Sequence, residues 1–140
     1  MALLLVGFGM VAVTVLSWKV ETPGALRGQA GSSSSSSSAA SRISGGNEYS
    51  LYLRADGTIS AWGNNIFGQL GNGTETNSLV PVKVKGVSGA GYLSNIKAIF
   101  AGYNHSLALG NDGSVYAWGW RNLGNGTTTK SPVPVKVKGV

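Results

Sequence analysis

The chain of 140 residues has no cysteine and a single histidine, His105. Lack of cysteine excludes a disulfide framework, a thiolate-held metal and a thiol nucleophile, although it does not fix the redox compartment. Acids are scarce as well, with five Asp and Glu against eleven Lys and Arg. Asp56 and Asp112 sit in turn sequences, and neither has a second carboxylate close in sequence with which to share acid–base work. A G-x-S-x-G elbow, a phosphate-binding loop and a metal-spaced His/Asp/Glu cluster are all missing. These absences point away from an enzyme, and no cofactor or metal is expected.

What is present changes abruptly along the chain. Residues 1–20 hold 17 consecutive uncharged, mostly apolar positions, Ala2 to Trp18, closed by Lys19. As a helix this run rises about 25 Å, the short end of what spans a hydrocarbon core. Trp18 and Lys19 suit the membrane–water boundary. No basic stretch precedes the run and no A-x-A-like cleavage site closely follows it. A membrane anchor through residues 1–18 is the favoured reading, ahead of a signal peptide and a buried helix or strand. Gly7 and Gly9 fall into a G-x-G-x-x-A pattern, but no room remains for the second strand of a dinucleotide-binding unit. Residues 21–41 form a linker of small and polar residues, with too little apolar surface to offset chain entropy, and are expected to be disordered.

The remainder is a duplication. Ile43–Gly63 and Ile99–Gly119 are identical at ten of 21 positions with an offset of 56. Leu70–Val87 and Leu123–Val140 are identical at 15 of 18 with an offset of 53. The difference is a three-residue deletion, since Asn64–Gln69 in the first copy faces only Trp120–Asn122 in the second. The repeats occupy residues 42–95 and 96–140.

Each repeat reads as strands. Leu51 and Leu53 alternate on one face, as do Leu107 and Leu109. Asp56-Gly57 and Asp112-Gly113 supply turn residues able to take positive φ. The chain returns through Ile59 and Ala61, or Val115 and Ala117, on the same face. Gly/Asn/Thr-rich loops follow, then Pro-Val-Lys-Val-Lys twice, with valines inward and lysines outward, where lysine guards an outer strand against stray pairing. A short strand before each hairpin, near Arg42–Gly45 and Ile96–Ala101, completes four. The expected fold class is therefore all-β, with two four-stranded antiparallel blades of propeller type behind an apolar helix and a linker. Trp62 and Trp118, recurring at matching positions, are expected in the blade cores.

These residues resemble the regulator-of-chromosome-condensation (RCC1-type) repeat. The likeness rests on Gly102-x-x-His105-Ser106, Asp112-Gly113, Trp118-Gly119 and Gly68-Gln69-Leu70-Gly71-x-Gly73, and covers Ile43 to Val140. Tyr49 stands where the family usually has His, and the second copy lacks the Gly-Gln pair. The resemblance implies a propeller of about seven blades used mainly as a binding platform. It is found in chromatin-bound exchange factors for a small GTPase, in secreted enzyme inhibitors and in a plant photoreceptor. Two blades do not close a ring. The chain would then be a piece of a longer reading frame, a two-blade stub, or one member of a homo-oligomer completing a propeller with an even number of blades.

Candidate partner-binding residues are few. Trp120 and Arg121 break the repeat, and Gly-Trp-Arg resembles a tryptophan–arginine motif of the photoreceptor branch; a cation–π surface contact is one use for them. Lys83, Lys85, Lys136 and Lys138 supply much of the +5 charge of residues 42–140. Solubility and edge protection account for these lysines better than nucleic acid, because no aromatic residue interleaves with them to stack on bases. His105 is expected to fix a turn or pack within a blade. The expected function is a non-catalytic interaction module, membrane-anchored or secreted and extracytoplasmic, presenting propeller loops to a protein partner. The alternative is an intracellular guanine-nucleotide-exchange or chromatin-binding factor.

Overall fold

Residues 41–140 are described by a computed structural model. The apolar segment and all but the last residue of the linker lie outside the described residues. Among those described, no helix is long and apolar enough to cross a membrane.

Eight strands and one short 3-10 turn follow in order. Strands β1 (Ile43–Gly45), β2 (Tyr49–Leu53), β3 (Ile59–Gly63) and β4 (Ser78–Lys83) form one antiparallel sheet in sequential order. After the 3-10 turn at Val87–Gly89, strands β5 (Ile96–Ala101), β6 (His105–Gly110), β7 (Val115–Gly119) and β8 (Ser131–Lys136) repeat the arrangement. The sheets are the two expected blades.

Local chemistry explains the central hairpins. Leu51 pairs with Ala61 and Leu53 with Ile59 across β2 and β3, so the four share a face; Leu107 pairs with Ala117 and Leu109 with Val115 in the second blade. In the β2–β3 turn the Asp56 carboxylate accepts the Thr58 amide at 3.0 Å and its hydroxyl at 2.6 Å. Asp112 does the same for Ser114, at 3.0 Å for each. Such a side chain stands in for a backbone turn bond and sets where each hairpin reverses.

The outer strands differ from expectation. They begin three residues before the expected Pro81 and Pro134 segments and stop at Lys83 and Lys136, so Val84-Lys85 and Val137-Lys138 lie beyond them. The cause is a register shift opposite Trp62 and Trp118: Val82 pairs with Ala61, but the next partner is Ser78 with Gly63. Leu79 and Val80 are pushed into solvent at 97% and 64% exposure. Prolines are tolerated because each strand is a sheet edge that need not donate every amide. Val84 is buried, as expected, while Lys85 is half-buried rather than fully outward.

The blades pack face to face. Tyr49, Leu51, Leu53, Ile59 and Ala61 of the first share a core with Ala101, Ala108 and Trp118 of the second. Leu51 and Ile59 are fully enclosed, each contributing about 2–3 kcal/mol of transfer free energy. The Gln69 carbonyl of the first blade accepts both the Trp118 indole N–H and the Ser106 hydroxyl at 2.8 Å. Trp118 is thus core, as expected. Trp62 is not: it remains half-exposed, because among the described residues no blade lies against the face it occupies.

Candidate protein-binding surface

The two stretches where the repeats diverge come together in space. In the first blade, Asn64–Asn77 links β3 to β4, and the buried Asn65 side chain organises it. Its Nδ2 donates to the carbonyls of Thr74 at 2.9 Å and Thr76 at 3.0 Å, and its Oδ1 accepts the Leu70 amide at 2.9 Å. The corresponding connection of the second blade runs from Trp120 to Lys130. It has lost three residues and has no Asn65 counterpart to tie it.

Trp120 uses the space next to the longer loop. Its ring meets Phe67 edge-on, with centroids 4.2 Å apart and planes at 62°. The guanidinium of the exposed Arg121 lies 4.7 Å from the Trp120 ring centroid, within cation–π range. Trp120, Arg121, Thr128, Thr129 and Lys130 border an open cleft of about 490 Å³. Lys130 is held across from the first blade by Glu75 at 2.7 Å. Both partners are largely exposed, so this pair contributes at most about 1 kcal/mol and mainly sets orientation. The cleft offers two cations, an aromatic plane and threonine hydroxyls, with Glu75 as the nearby acid. That equipment suits recognition of acidic or aromatic groups on a partner. Among the described residues no group of three or more His, Cys, Asp or Glu is placed to hold a metal ion.

Of the six sequence candidates, Trp120 and Arg121 share this cleft and the four lysines do not. Lys83 and Lys85 flank the Tyr92 ring at 5.0 and 5.5 Å from its centroid. An aromatic residue therefore does interleave with the first pair, contrary to the sequence expectation. It arrives seven residues after Lys85, through the Lys85–Tyr92 bridge, where no local pattern announces it. Lys136 lies near Asp112, and Lys138 runs along Gly126. The two pairs belong to the outer edges of different blades.

Phe67, Glu75 and Lys130 are site residues that sequence reasoning did not select. Phe67 carried one usable signal, its place in the hexapeptide Asn64–Gln69 that the second copy shortens to three residues. His105 contributes mainly its backbone: its carbonyl accepts the Gly102 amide at 2.8 Å and the Tyr49 hydroxyl at 2.5 Å. Its imidazole lies over Gly102, where a Cβ would not fit.

Comparison with known proteins agrees with this architecture. Over 99 residues the chain is 38% identical to the ultraviolet-B receptor UVR8 of Arabidopsis thaliana, covering 69% of this chain and 22% of the receptor. It is 34% identical over 102 residues to the human E3 ubiquitin-protein ligase HERC2, covering 71% of this chain and 2% of the ligase. The chain thus spans less than a quarter of these relatives. Among solved structures, human WBSCR16 superposes with a TM-score of 0.60 at 24% identity, over 70% of this chain and 24% of that one. Yeast RCC1 (Prp20), solved bound to Kap60, gives 0.57 at 21%, over 72% and 25%. At these identities the two structures show a shared fold. The "Regulator of chromosome condensation (RCC1) repeat" profile matches residues 56–109 and 112–140, and a second profile of the same description matches 40–69 and 96–125. With eight strands in two blades and both profiles matching twice, the chain belongs to the regulator of chromosome condensation (RCC1) repeat family.

Proposed function

We propose that this chain is a non-catalytic protein-binding module whose contact surface is the Phe67–Trp120–Arg121 stack and the cleft beside it. The observation that carries the reading is the meeting, at that stack, of the two segments in which the repeats differ in length, Asn64–Gln69 and Trp120–Asn122. Residues 1–18 hold the module at a membrane or direct its secretion, and the 21–41 linker lets it stand clear of the surface. Copies of the chain associating through their open blade faces would enlarge the platform.

Trp120 and Arg121 anchor the partner, since a pre-stacked Trp–Arg pair loses little side-chain entropy on binding. A partner surface with carboxylates or exposed aromatic rings fits the cleft. The test is cross-linking mass spectrometry on cells expressing the full chain, beside Trp120→Ala and Arg121→Glu variants. Partner cross-links at residues 120–130 that disappear in both variants support the reading; cross-links that persist in both overturn it. Fractionation of the same cells tests the anchor, and recovery with soluble nuclear proteins overturns that part.

The +5 charge of residues 42–140 favours a second reading, an intracellular exchange or chromatin-binding factor. Yeast Prp20p, similar in fold, is described with binding properties to Gsp1p and histones. Salt-sensitive retention of the full chain on nucleosomes, unaffected by Trp120→Ala, would favour it over the first.

A further inference from the structure

We infer that the strand ends opposite the loop surface form a basic face that docks on an anionic lipid bilayer. This goes beyond the Trp120 cleft, which lies at the other end of the strands. It stands whether or not residues 1–18 enter the membrane.

Strand directions place the charges. The Ile96 amide donates to the Gly57 carbonyl at 3.2 Å and the Asn111 amide to the Asn95 carbonyl at 2.9 Å. Both hairpin turns and the 84–95 connection therefore share one end. The 64–77 and 120–130 loops share the other, where Phe67 meets Trp120 and Glu75 meets Lys130. At the turn end, Arg42 precedes β1 and Arg54 follows β2. Lys83 and Lys136 close β4 and β8, Lys85 and Lys138 come two residues later, and Lys97 sits in the irregular start of β5. Seven of the nine Lys and Arg of residues 42–140 thus gather there, against two of the four acids, Asp56 and Asp112. At the loop end Arg121 and Lys130 balance Glu48 and Glu75. The whole net charge of +5 lies at the turn end.

These cations are available. All are exposed except Lys85, which is half-buried. Among the described residues only Arg54 has an ion-pair partner at that end, Asp56 at 3.7 Å. Apolar groups stand among them, since Tyr92 and Val87 on the 84–95 connection are both exposed. A tyrosine set between ammonium groups suits the headgroup level of a bilayer, where aromatic and basic side chains both collect.

Nucleic acid fits this face less well. Lys83 and Lys85 lie over the Tyr92 ring, 5.0 and 5.5 Å from its centroid, and cover the surface on which a base would stack. The linker also joins the blades at this end, through Ser41 and Arg42. In a chain held at a membrane by residues 1–18, the shortest path from the anchor leads to the basic face. The linker permits both a raised and a docked position. Anionic lipid selects the docked one and leaves the Trp120 loops facing away, toward a partner.

Lack of cysteine makes the test direct, because single labels can be placed. Full-length Ala55→Cys, in the exposed β2–β3 turn, and Tyr103→Cys, in the exposed β5–β6 loop, each carry one fluorophore. They are mixed with vesicles of phosphatidylcholine, or of phosphatidylcholine and phosphatidylserine, that contain a lipid with a quencher on its headgroup. The expected result is quenching at residue 55 that needs phosphatidylserine and is reversed by salt, with none at residue 103. Each lysine near an anionic surface strengthens binding about fivefold, so Lys83→Gln/Lys85→Gln/Lys97→Gln/Lys136→Gln should weaken docking about 600-fold and abolish the quenching. Salt reversal in the unsubstituted chain keeps the result readable if that variant misfolds. Retention on phosphatidylcholine alone reads the anchor separately. Equal quenching in both lipids, equal quenching at both positions, or no response to phosphatidylserine overturns the proposal. The last outcome, joined with salt-sensitive binding of duplex DNA, would assign the face to nucleic acid instead.

Discussion

The hydroxyl of Tyr49 donates to the main-chain carbonyl of His105, the residue at its own position in the second repeat, at 2.5 Å. Ser106 Oγ lies 3.1 Å from the same hydroxyl. The site is buried, so a missing partner cannot be replaced by water without cost. One repeat position thus ties the blades together, and it does so through the side chain in one copy and the backbone in the other.

Tyr49→Phe keeps the ring and removes only the donor. Unfolding of the 41–140 unit in urea should show a loss of about 1 kcal/mol, up to about 3 if the His105 carbonyl finds no water. No change would mean that the bond contributes nothing net.

Burial raises the Tyr49 hydroxyl above its ordinary value near 10, outweighing the Ser106 hydrogen bond that lowers it. The folded state then holds this proton more tightly than the unfolded chain. Its contribution is complete below about pH 10 and is lost as pH rises from there through the folded-state value. Asp56 and Asp112 act in the opposite sense. Hydrogen bonds from Thr58, and from the Ser114 amide and hydroxyl, lower both carboxyls. Their contribution is present above about pH 3.8 and fades as pH falls through the lowered values. Thermal melts across pH should show both limbs, and Tyr49→Phe should flatten the alkaline one alone.

Asn65 holds the first loop through donors and acceptors that no apolar residue can supply. Asn65→Ala should cost about 2–4 kcal/mol by stranding the Leu70 amide and the Thr74 and Thr76 carbonyls. Asn65→Asp is also expected to destabilise, because a carboxylate cannot donate to those carbonyls. Amide exchange over residues 64–77 should accelerate in both.

Gly71 takes φ +65°, and a Cβ there would sit 2.7 Å from Trp118 Nε1. Gly71→Ala combines left-handed backbone strain of about 1–2 kcal/mol with a clash at the inter-blade tryptophan. Gly139, at φ +82° with open space around it, should bear the same change at the strain cost alone. Comparing the two by urea unfolding and Trp118 fluorescence separates strain from packing.

Strand alternation, the Asp-Gly turns and the duplication were legible in the residues because each is local: period-2 patterning and turn chemistry need no partner. Trp120 and Arg121 stood out by breaking the repeat, whereas Phe67 and Tyr92 did not, since stacking and cation–π contacts join segments from separate parts of the chain. Burial could not be read the same way. β2 buries Tyr49, Leu51 and Leu53, yet its near-copy β6 buries Ser106, Ala108 and Gly110 and leaves Leu107 and Leu109 half-exposed. The sequence by itself determined that both faces of each blade are built for contact. Only the tertiary structure decided which face is covered, because a sheet has two faces and a neighbour on just one side removes water from just one of them.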